Sequence, residues 1–213
     1  NLFDGGIYCN GACEKLHGQT RYAFLPAAVV AGCVKAVESF PGLHLALQLK
    51  DELHAFNCPL ADFACPLWGI DPQLSVPLNP NVFNQTVKIL IYFENLVDSV
   101  TDLPSSLVNL CQTICMDQAN VYLTDQGKVL QITNNQTNKF KSIDHLRRQL
   151  NLKPEEIAVF GNDWNDLEML TGFPNGVVMG NADRELRCQI RYQTQSNDKD
   201  GIAYALHTLL GLI

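Results

Sequence analysis

The chain has 213 residues, 46% of them hydrophobic and 17% charged, which suits one or two domains with real apolar cores. Its net charge of −7 argues against a nucleic-acid backbone as partner, because such binding is driven by lysine and arginine patches. Its longest apolar runs, such as residues 87–93, are strand-length and interrupted by Lys88, so nothing in it resembles a membrane span.

The opening Asn-Leu-Phe-Asp-Gly-Gly has neither the basic nor the apolar region of a signal peptide. Asp4-Gly5-Gly6 reads as a turn ahead of Ile7 and Tyr8. A helix is expected over 26–40 and a strand over 43–49. Residues 51–84, with several prolines and asparagines, give no readable pattern. A strand at 87–93 and a helix at 105–114 precede two short strands, 120–124 and 129–133, whose connection contains Gly127 and reads as a hairpin. This mixed stretch is expected to form a separate α+β module inserted in the chain.

From 139 onward the rhythm is regular. A helix over 142–150, stopped before Pro154, leads to a strand at 157–160, a helix from 166 and a strand at 177–179. A helix at 183–190, a short strand at 191–193 and a helix at 201–210 follow. Such alternation implies parallel βα units with right-handed crossovers, one half of a doubly wound fold. The basic residues between 139 and 148 are interleaved with apolar positions at helical spacing and read as one solvated helix face.

Eight cysteines lie at 9, 13, 33, 58, 65, 111, 115 and 188, with no Cys-x-x-Cys pair and no adjacent histidine to complete a zinc set. Cys111 and Cys115 would share a helix face, and so would Cys9 and Cys13 if that segment were helical. Buried free thiols in a reducing cytoplasm are the expectation. The Asn-x-Thr sequons at Asn84 and Asn135 carry little weight without a secretory signal.

The segment Val-Phe-Gly-Asn-Asp-Trp-Asn-Asp-Leu-Glu-Met-Leu at 159–170 is the most informative. An apolar strand meets Gly161, then a cluster of carboxylates and carboxamides, then the apolar spacing of a helix. Ligands of open α/β sheets bind at such strand ends, and oxygen donors there suit a hard cation such as Mg²⁺. Helix capping by Asp163 or Asn165 accounts for the same residues equally well.

Further motifs occur in fixed order: Ile-Tyr-Cys-Asn-Gly-Ala at 7–12, Asn-Lys-Phe-Lys-Ser-Ile-Asp-His-Leu at 138–146, the 160–170 segment, Val-Met-Gly-Asn-Ala at 178–182 and Ser-Asn-Asp-Lys-Asp-Gly-Ile-Ala at 196–203. Together they resemble the Cof-type phosphatases of the haloacid dehalogenase (HAD) superfamily, those with a type IIB cap. The resemblance implies an α/β fold: a Rossmann-like HAD core, incomplete at its N-terminus, with an inserted α/β cap domain of type IIB. It places residues 1–20 in the core leading into the cap, 21–133 in the cap and 134–213 in the C-terminal half of the core. It also implies hydrolysis of small, sugar-phosphate-like monoesters through a phospho-aspartate, with Mg²⁺ as cofactor and a small phosphorylated metabolite as partner.

By the same resemblance, Lys139 steadies the phosphoryl group and the nucleophile, and its spacing favours it over Lys141. Asn165 matches the phosphate-contacting asparagine, and Asp166 the acid that holds Lys139. Asn181 and Asp198 sit in matching motifs, where loop capping serves as well. Phe63 and Trp68 would line the substrate pocket or pack in the cap core.

Two departures matter more than the matches. The Asp-x-Asp-Gly-Thr motif that supplies nucleophile and acid/base is not among these residues, nor is the serine or threonine of the second motif; Asp4-Gly5-Gly6 only echoes the first. Asn162 stands where the family has its Mg²⁺-binding aspartate, and Asp163 would substitute only in a rearranged turn. The chain as it stands is therefore expected to be inactive and to hold Mg²⁺ weakly. The alternative is a degenerate relative that binds a phosphorylated ligand or partner without turnover.

Overall fold

A computed structural model describes residues 5–59, 71–93 and 102–211; Phe63, Trp68 and Cys65 lie outside them. The described residues form three sheets. The first is a small antiparallel one of β1 (Gly5–Tyr8), β2 (Cys13–Leu16) and β3 (Gln19–Tyr22). It corrects the reading of Gly5 and Gly6 as a turn, since both lie in β1 and face Leu16 and Lys15 of β2. Cys9 and Cys13 do not share a helix either: Cys9 lies in a turn and Cys13 opens β2.

The second sheet is antiparallel, in the order β5-β4-β6-β8-β7, built from β4 (Leu43–Leu49), β5 (His54–Phe56), β6 (Thr86–Phe93), β7 (Ala119–Thr124) and β8 (Val129–Asn134). Side chains alternate across a strand, and here the two faces differ sharply. Leu45, Leu47, Ile89, Ile91, Leu130 and Ile132 point one way and are fully buried. They pack on Val30 and Cys33 of α1 (Ala27–Glu38) and on Leu107 and Cys111 of α2 (Ser105–Cys115). Burying each such aliphatic side chain contributes roughly 1.5–3 kcal/mol. The register places Gln48, Lys88 and Thr133 side by side on the other face, polar at this end, with Gln131 one pleat along and a small apolar cluster of Ala46, Tyr92 and Val129 beyond.

The third sheet is parallel, in the order β11-β10-β9, from β9 (Ala158–Gly161), β10 (Asn175–Val178) and β11 (Tyr192–Gln193). It has its own core of Val159, Leu170, Phe173, Val178 and Leu186, separate from that under the antiparallel sheet. α3 (Lys139–Gln149) and α4 (Leu167–Gly172) cover it, with Phe140 and Phe173 in ring contact at 5.2 Å.

Two expected helices are shorter than their sequence pattern. The one expected over 183–190 is α5 (Arg184–Arg187), started by Asp183, whose carboxylate accepts from Leu186 N, and closed at Cys188. The one expected over 201–210 is α6 (Gly201–Tyr204), running into a π-turn over Ala205–Leu209. Among the described residues no helix is long and apolar enough to cross a membrane.

Candidate active site

At the carboxyl end of β9 the chain turns through Asn162 and Asp163 into a 3-10 turn, Trp164–Asp166, and then α4. Asp166 organises this turn. Its Oδ2 accepts from Asn162 N at 2.9 Å and Asp163 N at 3.2 Å, and its Oδ1 lies 2.5 Å from Lys139 Nζ. Asp166 is buried, with Lys139 partly covered, so this ion pair is less screened than a surface pair. Gly161 makes room for it: a Cβ there would sit 2.5 Å from Asp166 Cβ.

Lys139 reaches Asp166 because it begins α3, whose cap is Asn138 accepting from Lys141 N at 2.8 Å. The same helix start is pinned to the small sheet, since Thr137 Oγ1 and Ser142 Oγ donate to Gly11 O at 2.6 and 2.8 Å. Gly11 has φ +97, and a Cβ there would strike the Asn138 carbonyl at 2.4 Å. Lys141 points elsewhere, donating to Asn135 O.

Asn165 is buried and donates to Asn10 Oδ1 at 3.1 Å. Asn10 donates on to Gln131 Oε1 at 2.7 Å, and Gln131 to Thr124 Oγ1 at 2.8 Å. A directed chain of amides thus links the β9 turn, the turn after β1 and the polar face of the antiparallel sheet; such chains polarise and strengthen one another. Asn10 and Gln131 were not singled out by sequence. The available signal was the Asn-Gly pair at 10–11, where Cys9 and Asn10 both take positive φ.

Asp163 is spent on structure. Its Oδ1 accepts from Trp164 N at 2.7 Å and its Oδ2 from Asp125 N at 2.9 Å, across to the β7–β8 hairpin. Asn162 is exposed, and Asn181 and Asp183 line the same 1140 Å³ cleft as Asn162, Asp163, Asp125 and Tyr122. Tyr122 OH bonds Glu168 at 3.1 Å, and burial first, then the Glu168 charge, pushes its pKa up. Asp198 lies in an exposed turn and accepts from Asn197.

A Mg²⁺ site needs oxygen ligands, carboxylates above all. The carboxylate oxygens of Asp163 and Asp166 already accept from backbone amides and Lys139, and the Asn162 and Asn165 amide oxygens of this turn bring no charge. Among the described residues no three His, Cys, Asp or Glu side chains are grouped to hold a metal. The residues of this chain do not by themselves fit the ion.

Residues 78–206 match the family model of the haloacid dehalogenase-like hydrolases. The chain belongs to that family. YxeH of Bacillus subtilis, a protein assigned to the phosphatases, is 28% identical over 78% of the chain and 63% of its own length. A Streptococcus pyogenes protein assigned as a bifunctional phosphatase and peptidyl-prolyl cis–trans isomerase is 39% identical over 97% of this chain and 42% of its own length. The chain therefore spans less than two thirds of these relatives. Among solved structures, a sugar phosphatase of HAD subclass IIB superposes with TM-score 0.81 at 19% identity, covering 100% of this chain and 77% of that one. The likeness covers the whole chain, so the fold is a HAD core with a subclass IIB cap.

Proposed function

We propose that this HAD family chain forms most of a Mg²⁺-dependent hydrolase of small, sugar-phosphate-like monoesters. In this reading Lys139 neutralises charge on the phosphoryl group, Asp166 fixes Lys139, and Asn165 offers its second amide hydrogen to a phosphoryl oxygen. The observation that carries the reading is the Lys139–Asp166 pair beside Asn165, at the carboxyl end of a parallel strand and under the polar face of the antiparallel sheet. Fixed charge in a partly buried site acts where charge develops, at little reorganisation cost.

The Asp-x-Asp motif is not among these residues, so the chain alone is proposed to be without turnover. Neither a carboxylate to attack phosphorus nor one to protonate the leaving oxygen is present. A second reading, a relative that binds phosphorylated ligands without catalysis, draws on Asn162 in place of a metal-binding aspartate and on the capped oxygens of Asp163. The free thiols of the described cysteines support a reducing compartment such as the cytoplasm.

The test is hydrolysis of a generic aryl phosphate with millimolar Mg²⁺. It compares the chain alone, the Asn162→Asp form, and each of these joined to a segment bearing Asp-x-Asp-Gly. Turnover that requires the added segment supports the hydrolase. Absence of turnover in every form, with metal binding gained by Asn162→Asp, supports the binding-only relative. Brisk turnover by the chain alone contradicts the account.

A further inference from the structure

Lys88 is a cation in an unusual place. It occupies the middle of β6, the central strand of the antiparallel sheet, between the fully or nearly fully buried Val87 and Ile89. Ile89 faces the apolar core, and the strand's pleat turns Lys88 to the opposite, polar face. There it stands beside Gln48 and Thr133 in register.

Its side chain is partly buried, and its electrostatic neighbours are Cys9, Lys139 and Asp125. These come from three different elements: the turn after β1, the start of α3 and the β7–β8 hairpin. Lys88 therefore lies where these parts meet, and the residue after Cys9, Asn10, accepts from Asn165 of the Lys139 site. A 660 Å³ cleft is lined among others by Lys88, Cys9 and Gln48, and also by Asp71 and by Glu52, which is paired with Lys15; its volume is within the size range of small-ligand pockets.

Among the described residues Lys88 has no ion pair and no hydrogen-bond acceptor, while Lys139 is already paired with Asp166. Gln48 Oε1 is taken by the Cys9 thiol, and Cys9, its pKa raised by burial to about 11, stays neutral. Next to Lys88, Thr133 Oγ1 is wholly buried without a hydrogen-bond partner. The hydroxyl is closed to a ligand, but a partly buried cation without a partner is costly unless something answers it.

We propose that Lys88 recognises a second anionic group on the leaving-group portion of the substrate, a carboxylate or a second phosphate. The inference rests on the phosphoryl group binding at Lys139. It adds a substrate class, phosphomonoesters whose alcohol carries its own negative charge. Glucose 6-phosphate and similar esters with neutral leaving groups leave Lys88 unanswered.

The experiment uses two phosphonates, which cannot be hydrolysed, so binding is read without turnover. 3-Phosphonopropionate and n-propylphosphonate have the same chain length and differ in a terminal carboxylate against a methyl group. Calorimetric titration of the wild-type protein should show the carboxylate form bound about 10- to 100-fold tighter, the scale of one charge-assisted contact. Lys88→Met should bring that ratio close to one and raise the melting temperature, because it removes an uncompensated charge. Lys141→Met should leave the ratio intact. Fructose 1,6-bisphosphate against glucose 6-phosphate, in competition, separates a second phosphate from a carboxylate as the favoured group.

An unchanged ratio in Lys88→Met, or a wild-type ratio near one, overturns the proposal. A lower melting temperature in Lys88→Met makes the lysine structural and overturns it as well. Binding of both phosphonates that depends on Lys139 but not on Lys88 leaves the phosphoryl site standing and removes this inference alone. Discrimination by Lys88 with no hydrolysis in any form sustains the inference while the hydrolase reading fails. No binding of either phosphonate overturns both.

Discussion

Asn165 donates its side-chain amide to Asn10 Oδ1 at 3.1 Å, joining residues 155 positions apart in sequence. The bond ties the β9 turn to the turn after β1, and through Gln131 to the antiparallel sheet. It makes the relative placement of the two cores a matter of specific polar contacts as well as of packing.

Asn10→Ala should therefore do more than remove one contact. It leaves Gln131 Oε1 and the buried Asn165 amide without their Asn10 partner, a loss of about 1–3 kcal/mol. Asn10 also has φ +55, a conformation that asparagine tolerates better than alanine. Urea unfolding should show the loss, and Asn10→Gly should recover the backbone part only. A stability within 0.5 kcal/mol of wild type, roughly the noise of an unremarkable surface change, would contradict the network.

Gly161→Ala should push Asp166 away from Lys139, because the added Cβ has no room beside the Asp166 side chain. The expected cost is about 1–3 kcal/mol, typical of overpacking. Phosphonate affinity should fall with it. Normal affinity at normal stability would show that the turn has slack.

The two cores should behave independently. Leu107→Ala and Leu186→Ala each empty a wholly buried position, one on α2 in the core of the antiparallel sheet, the other on α5 in the core of the parallel sheet. Each should cost roughly 2–5 kcal/mol, and the double variant should add to within about 0.5 kcal/mol. A coupling clearly larger than that would mean one cooperative core.

Burial lowers the Lys88 pKa from the ordinary 10.5 to about 8, with Lys139 repelling it and Cys9 and Asp125 pulling the other way. Between about 8 and 10.5 the unfolded chain then holds more protons at this site than the folded one, so the Lys88 contribution to stability rises with pH across that window. Below it the folded protein carries the full cost. Lys88→Met should be more stable than wild type at pH 7, and the gap should close as pH approaches the unfolded value. A gap that does not change with pH refutes the assignment of the cost to this charge.

Sequence made some of this legible and not the rest, for physical reasons. The strand over Leu43–Leu49 has the boundaries expected of it, because leucines at alternate positions fill one face completely. The β1–β3 sheet was missed because Glu14, Lys15, Gln19 and Arg21 give it little apolar alternation, and its turn relies on backbone conformations no periodicity reveals. The closeness of Lys139 to Asp166 was readable only through the family resemblance, which pairs the two motifs. The Asn10–Gln131 contact was not, since Gln131 looks like any polar strand residue until its partner 121 positions away is known. Lys88 was read merely as a break in an apolar run; a lone lysine inside a buried strand was itself the signal.

The most direct test of the account is whether the phosphoryl group sits at Lys139. Titration of inorganic phosphate into the protein, followed by ³¹P line broadening or calorimetry, should show binding that Lys139→Ala abolishes. Lys141→Ala, whose ammonium faces the Asn135 carbonyl instead, should bind as wild type. Retained affinity in Lys139→Ala, or an equal loss in Lys141→Ala, would place the phosphate elsewhere and contradict the site.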